Sequence, residues 1–340
     1  MLLRTVSLWL ANLLAVSQCI RVNSVEKSKD FPIRSEVENL VVRPSGSVLA
    51  VVYTFPQIYE VPVATNATPK VIATFENTHG VSSIAKSSTP DVYFVITGNF
   101  SFTNFTPTAR SYAIHRLSFD ACNNAITKEL APLDAISQPN GMTHVPNTPY
   151  VLIADSRAGF IYRFNTETFE LTTFFDHPLL KANGTALFPG SDVKVIFGVN
   201  GIKLSRGYLY FSNTNRQFVA RVKATGKECP LVGTPKIIAT QTPADDIILN
   251  DLNGDLYIAE NGGNALSFVG GCSNSTIPEI ILGGGNSTVL QSPTAVIWAK
   301  GAEGRTLLVS TAGDFTQFFT PDFQGPSGEG IQIVHLDQRD

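Results

Sequence analysis

GVNGIKLSRGYLYFSNTNRQFVARV (198–222) holds three short apolar runs separated by turns. Asn200-Gly201-Ile202 starts the first, GYLYFSN (207–213) is the second and FVARV (218–222) the third. The same phrase reads Asn140-Gly141-Met142, YVLIAD (150–155), FIYRFN (160–165), and again Asp246-Ile247-Ile248, DLYIAEN (255–261), ALSFV (265–269). Weaker copies start at Asn39-Leu40, His79-Gly80 and Pro293-Thr294. Six copies lie roughly 40 to 60 residues apart, a period that with three to four short strands per unit specifies a radial array of small sheets. The chain is therefore expected to be all-β, a six-bladed β-propeller.

The composition agrees. Of 340 residues, 43% are hydrophobic and 16% charged, against about 25% charged in ordinary domains. A single domain over 20–340 follows from the repeat, because no blade can bury both faces alone. The net charge of −3 and the lack of a basic cluster argue against nucleic acid as a partner. DVYFVITG (91–98) is apolar at nearly every position, as a middle strand between two neighbouring blades requires. PSGS (44–47), DLNG (251–254) and GAEG (301–304) suit tight hairpins. FPIRSEV (31–37) precedes the first blade and is assigned as the N-terminal strand that completes the last one.

Residues 1–19 read as a secretory signal: Arg4, the apolar run 7–16, then Ser17 and Cys19 at −3 and −1 spacing. Cleavage after Cys19 or two residues earlier is expected, with the secretory pathway or the cell exterior as destination. No later segment has the ~18 uninterrupted apolar residues of a membrane span. Sequons at Asn66, Asn99, Asn104, Asn183, Asn274 and Asn286 fit glycosylation on that route. Three cysteines remain beyond the signal, and they cannot all pair within one chain. Cys229 and Cys272 flank the fifth repeat, so a bridge between them with Cys122 free is one reading, and three buried thiols the other.

Connectivity alone locates a mouth. The innermost strand of each blade starts on one face, called upper here, and the loop from second to third strand returns to it. The strand starts bring Glu38, Asn39, His79, Asn140, Asn200, Asp245, Asp246 and Thr294 there. The loops bring Asp155, Arg157, Asn213, Arg216, Glu260 and Asn264. Such carboxylates and amides are the oxygen donors that a hard cation takes, although Asn-Gly is also ordinary turn chemistry. Two further upper loops, 99–111 and 314–330, carry Phe100, Phe102, Phe105, Phe315, Phe318, Phe319 and Phe323. Seven phenylalanines on one face must bury against each other or against an apolar ligand. No G-x-S-x-G, H-E-x-x-H or P-loop occurs.

ENLVVRPSG, QPNGMTHVP, VLIADS, GVNGIKLSRGYLYFSN and ADDIILNDLNGDLYIAE resemble the senescence-marker-protein/gluconolactonase superfamily of six-bladed propellers, nearest its secreted fungal branch. The resemblance covers about residues 30–336. It implies one divalent ion, calcium or another, held by Glu38, Asn140, Asn200 and either Asp245 or Asp246. The chain departs from the family in reading Glu-Asn-Leu at the first phrase and in lacking a PDG-like phrase at the last. Fungal members of this kind include hetero-Diels–Alderases of natural-product pathways, which join a quinone methide to a terpene alkene and need no cofactor. That resemblance implies an apolar small-molecule substrate, Asn39, His79, Asn140, Asn200, Asn213 and Arg216 as catalytic polar groups, and Phe100, Phe102, Asp155, Arg157, Thr294, Phe315, Phe318 and Phe319 as pocket lining. A metal-dependent lactonase or esterase and a non-catalytic binding propeller are the alternatives.

Overall fold

The structure, a computed structural model, describes residues 20–101, 106–187, 193–318, 320, 322 and 328–337. Residues 1–19, which the sequence reading assigns to a signal, the sequon Asn104 and the phenylalanines Phe102, Phe105, Phe319 and Phe323 lie outside the described residues.

Six four-stranded antiparallel sheets are arranged as a propeller, with almost no helix. The first five blades run outward from the axis in chain order, as in blade 3: Pro139–His144, Tyr150–Asp155, Phe160–Asn165 and Leu171–Asp176. The inner strands of the other blades are Val37–Val42, Gly80–Lys86, Val199–Ser205, Ala244–Leu249 and Pro293–Trp298.

Alternation explains why the blades stand together. In Tyr150–Asp155, Val151 and Ile153 pack into a cluster with blade 2, while Leu152 and Ala154 pack into one with blade 4. A period of two thus buries both faces of a middle strand. Six such clusters fill the six interfaces between consecutive blades.

The N-terminal chain does complete the last blade, but through Val22–Lys27, which pairs antiparallel with Gly330–Leu336. The FPIRSEV segment instead links that strand to blade 1. Of its apolar residues Ile33 is 48% exposed, while Phe31 and Val37 are buried, Val37 as the first residue of the inner strand of blade 1. Ile20, just before the closing strand, is buried with Leu290, Val334 and Leu336.

The Cys229–Cys272 bridge is not formed; all three cysteines are free thiols. Cys229 sits in the outer hairpin of blade 4 at φ 53° and packs toward blade 3, whose Arg163 faces Glu228 at 3.9 Å. Cys272 is exposed in blade 5, next to Gly271, which abuts the Asn253-Gly254 turn of its own blade. Nor are the thiols buried: Cys122 and Cys272 are exposed and Cys229 is half-buried.

Candidate functional site

Every inner strand carries a β-bulge near its upper end. The register shifts between Val37 and Leu40, Val81 and Ser83, Pro139 and Met142, Val199 and Ile202, Ala244 and Ile247, and Pro293 and Val296. A bulge sets two residues against one and re-aims side chains. The skipped pairs are Glu38-Asn39, Asn140-Gly141, Asn200-Gly201, Asp245-Asp246 and Thr294-Ala295, with Ser82 alone in blade 2. The Asn-Gly dipeptides are thus strand bulges and not hairpin turns. Their glycines follow from crowding at the axis: a Cβ at Gly141 would overlap the Asn200 carbonyl, and one at Gly201 would overlap Asp245 and Asp246.

The bulges place a polar ring across the top of the channel. Glu38 is hydrogen-bonded to the Asn140 side chain. Asn200 Nδ2 donates to Asp245 Oδ1 at 2.5 Å and to Thr214 Oγ1 at 3.0 Å. Asn261 also bonds Asp245. Between Asp245 and Asp246 the structure makes a choice of neighbours. Asp245 faces Asn200, whereas Asp246 takes Lys203 Nζ at 2.9 Å on both oxygens.

These acids repel one another in a dry place. Burial and then the charge of Asp246 push Asp245 up to about 8. Burial first, then Asp245, raise Glu38 well above the ordinary carboxyl range, and the same two causes raise Glu36. Tyr112 is pushed up to about 12, chiefly by burial, and burial likewise raises its neighbour Tyr53, beside the acids. Such carboxyls stay protonated in the fold at a pH where the unfolded chain has ionised them. Their contribution to stability is fully present below about pH 4 and lost as pH rises through the folded value. Asp245→Asn should therefore change stability little at pH 4 and raise it by about 1–3 kcal/mol at pH 8, read by urea unfolding at both. Equal effects at the two pH values would remove the repulsion argument.

An aromatic roof lies over this floor. Phe100 stacks on Tyr53 with ring centroids 4.9 Å apart, and Phe315 meets Phe318 at 5.6 Å. They share one cluster with Ala312 and with Val193, Val195 and Phe197, contributed by the long connection between blades 3 and 4. Phe100 and Phe315 are buried.

Other residues expected at the mouth hold the scaffold. Asp155 is fully buried and accepts four backbone N–H bonds, from Ser137, Gln138, Arg157 and Ala158. Asn213 donates to the carbonyls of Leu179 and Lys181, and Arg216 donates to that of Pro178, so both pin the long connection. Asn39 donates across to the Ser82 carbonyl, and Thr294 donates to the Val37 carbonyl and pairs with Ser310. His79 and Arg157 are exposed on the rim. Of the sequon residues, Asn66, Asn183, Asn274 and Asn286 are exposed, whereas Asn99 is half-buried and accepts the His79 N–H at 2.8 Å. Sequence reasoning missed Glu36, Tyr53, Tyr112, Asn261 and Lys203. Glu36 was within reach of alternation, being two residues before Glu38; the others meet the ring only through packing.

Glu38, Asn140, Asn200 and Asp245 also form a set of hard oxygen donors. Asn200 Oδ1 is buried without a hydrogen-bond partner, and so is Glu36 Oε2. Among the described residues no group of three or more His, Cys, Asp or Glu side chains is arranged to hold a metal. A cation here would rest on two carboxylates and two amides, a donor set that fits calcium.

No protein-family model matches the chain, and no curated protein matches it. Solved structures do. A luciferin-regenerating enzyme aligns at TM-score 0.59 and 13% identity, covering 92% of this chain and 94% of that one. The calcium-binding protein regucalcin from Agrobacterium tumefaciens aligns at 0.57 and 15%, covering 92% and 94%. A PQQ-bound aldose sugar dehydrogenase from Streptomyces coelicolor aligns at 0.57 and 16%, covering 92% and 98%. At these identities the likeness is one of fold.

Proposed function

We propose that the upper mouth, where the aromatic cluster meets the polar ring, is the active site of a hetero-Diels–Alderase that joins a quinone methide to an alkene of a terpene, acting along the secretory route. The observation that carries this reading is an aromatic roof set over carboxyls that burial keeps protonated. In the reaction the quinone-methide oxygen and its exocyclic carbon bond to the two alkene carbons. One C–O and one C–C bond form, the alkene π bond is consumed, and no atom leaves, so no acid–base pair is required. Glu38 or Asp245, protonated, donates a hydrogen bond to the oxygen as it gains phenolate character. Tyr53, Phe100, Phe315 and Phe318 hold the two apolar partners face to face and exclude water, which supplies orientation.

A divalent-metal-dependent lactonase is the second reading, favoured by the unpartnered Asn200 Oδ1 beside Glu38, Asn140 and Asp245. An ion held there would polarise a carbonyl and activate water.

The two readings separate in one set of measurements. Under the pericyclic reading, cycloaddition persists in chelator. Phe315→Ala or Phe318→Ala lowers its rate about 10–100-fold and erodes stereoselectivity with it. Turnover abolished by chelation and restored by calcium would overturn this reading in favour of the hydrolase. Saturable substrate binding with no turnover would leave a binding propeller.

A further inference from the structure

The channel also opens on the lower face, and that end is built of different chemistry. Below each bulge pair, alternation turns one further residue per inner strand to the axis: Val41, Ile84, Thr143, Lys203, Ile248 and Ile297. These line a cavity of about 570 Å³ together with Met142 and Trp298 and with the polar residues Asn39, Ser87, Ser88, His144 and Asn147. It extends from Asn39 to Val42 along blade 1, three residue rises or roughly 10 Å. The Trp298 indole is committed in place. Its Nε1–H donates to the Leu249 carbonyl at 2.8 Å, and its ring meets Tyr257 edge-on at 5.1 Å. The polar edge of the indole is thereby satisfied, which leaves an apolar ring at the mouth.

The rim is cationic. A second cleft of about 230 Å³ shares Val42, Lys86, Trp298 and Glu303 with the first and adds Arg43 and Lys300. Arg43 is engaged by Glu60 and Asp91, and Lys203 by Asp246. Lys86 and Lys300 then stand at the rim, Lys300 with its Nζ also donating to the Pro44 carbonyl, against Glu303 as the one further carboxylate of these two clefts. Burial pulls the Lys86 amine below its ordinary value, with Glu303 acting the other way, so a second anion beside it would be stabilising.

We propose that this lower mouth is a second small-molecule site, taking an amphiphile with an aliphatic body and one anionic head. A medium-chain carboxylate is the simplest such ligand. Its chain fills the bore lined by Val41, Ile84, Met142, Ile248 and Ile297, and its head rests between Lys86 and Lys300. An aliphatic bore with a few placed polar groups is the ordinary construction of a ligand pocket. The inner end of this cavity, at Asn39 and the Asp246-bound Lys203, abuts the polar ring, while the ligand's head lies at the opposite, open end.

Trp298 gives a local reporter. The chain has one other tryptophan, Trp9, and a Trp298→Phe variant isolates the lower-mouth signal. Decanoate, titrated below its micellar concentration, should change Trp298 emission saturably with one site per chain in calorimetry. Methyl decanoate should bind at least tenfold more weakly, because it lacks the charge. The double variant Lys86→Met/Lys300→Met, both exposed positions, should weaken decanoate at least tenfold. Each methylene removed should lower affinity about fourfold. Three outcomes overturn the proposal: no saturable change, equal binding of acid and ester, or undiminished binding in the double variant. Binding that survives in the double variant but is lost in Phe315→Ala would assign decanoate to the upper mouth instead.

Discussion

Replacing Arg43 by Met should destabilise the protein by about 3–5 kcal/mol, the loss typical of a buried ion pair stripped of one partner. The Arg43 side chain is 3% exposed. Its Nε and Nη2 grip both oxygens of Asp91 at 3.0 and 2.6 Å, Nη1 reaches Glu60 at 2.7 Å, and Nη2 also reaches Asn123 Oδ1 at 2.7 Å. The guanidinium lies 3.5 Å from the Phe119 ring centroid. It therefore ties the inner hairpin of blade 1 to blade 2, and its removal leaves two carboxylates uncompensated. Arg43→Lys should recover only part of the loss, because an ammonium cannot reproduce the planar fork. The pH dependence has a definite sign. Hydrogen bonding to Arg43 holds the Asp91 carboxyl below its ordinary value. That contribution is present above about pH 4 and lost as pH falls through the folded value. Wild type should thus lose more stability than Arg43→Met on acidification. A loss under about 1 kcal/mol in urea unfolding at pH 7 would reduce the network to an ordinary surface ion pair.

Removing residues 20–27 should be as damaging, for a topological reason. Val22–Lys27 is the outer strand of blade 6, so the first and last strands of the chain are joined there. Without it, Gly330–Leu336 becomes an open edge with unpaired backbone groups, prone to pair with another chain. Ile20 is also lost from the cluster between blades 5 and 6, and a buried Ile alone is worth about 1.5–3 kcal/mol. We expect a total loss of about 4–6 kcal/mol and a Tm lower by roughly 10 °C or more, with soluble aggregates seen by light scattering. A truncated chain melting within about 2 °C of the full one would show that the ring is closed by packing alone and not by this strand.

The closing strand shows why some elements were legible and others were not. YVLIAD, GYLYFSN and DLYIAEN declare themselves because both faces of a middle strand are buried, and burial writes a dense apolar pattern. VNSVEK (22–27) is half-exposed along most of its length, so its apolar signal is thin. FPIRSEV looks more strand-like and lies closer to blade 1, yet it serves as a connector.

The six-fold repeat, the closure of the last blade by a segment preceding the first, and the clustering of the inner-strand starts were legible in the sequence alone. Each follows from local alternation and chain connectivity, which are written along the chain. The loop residues Asp155, Asn213 and Arg216, expected at the mouth, instead hold the scaffold. Only the tertiary structure decided that Asp245 faces Asn200 while Asp246 turns to Lys203. The reason is the bulge: it breaks the period of two at that step, so alternation cannot tell adjacent aspartates apart. The same holds for the phenylalanine loops, whose partners Tyr53 and Phe197 come from blade 1 and from the connection between blades 3 and 4. Which group a side chain meets across the axis depends on how six separately legible sheets pack, and that information is spread over the whole chain.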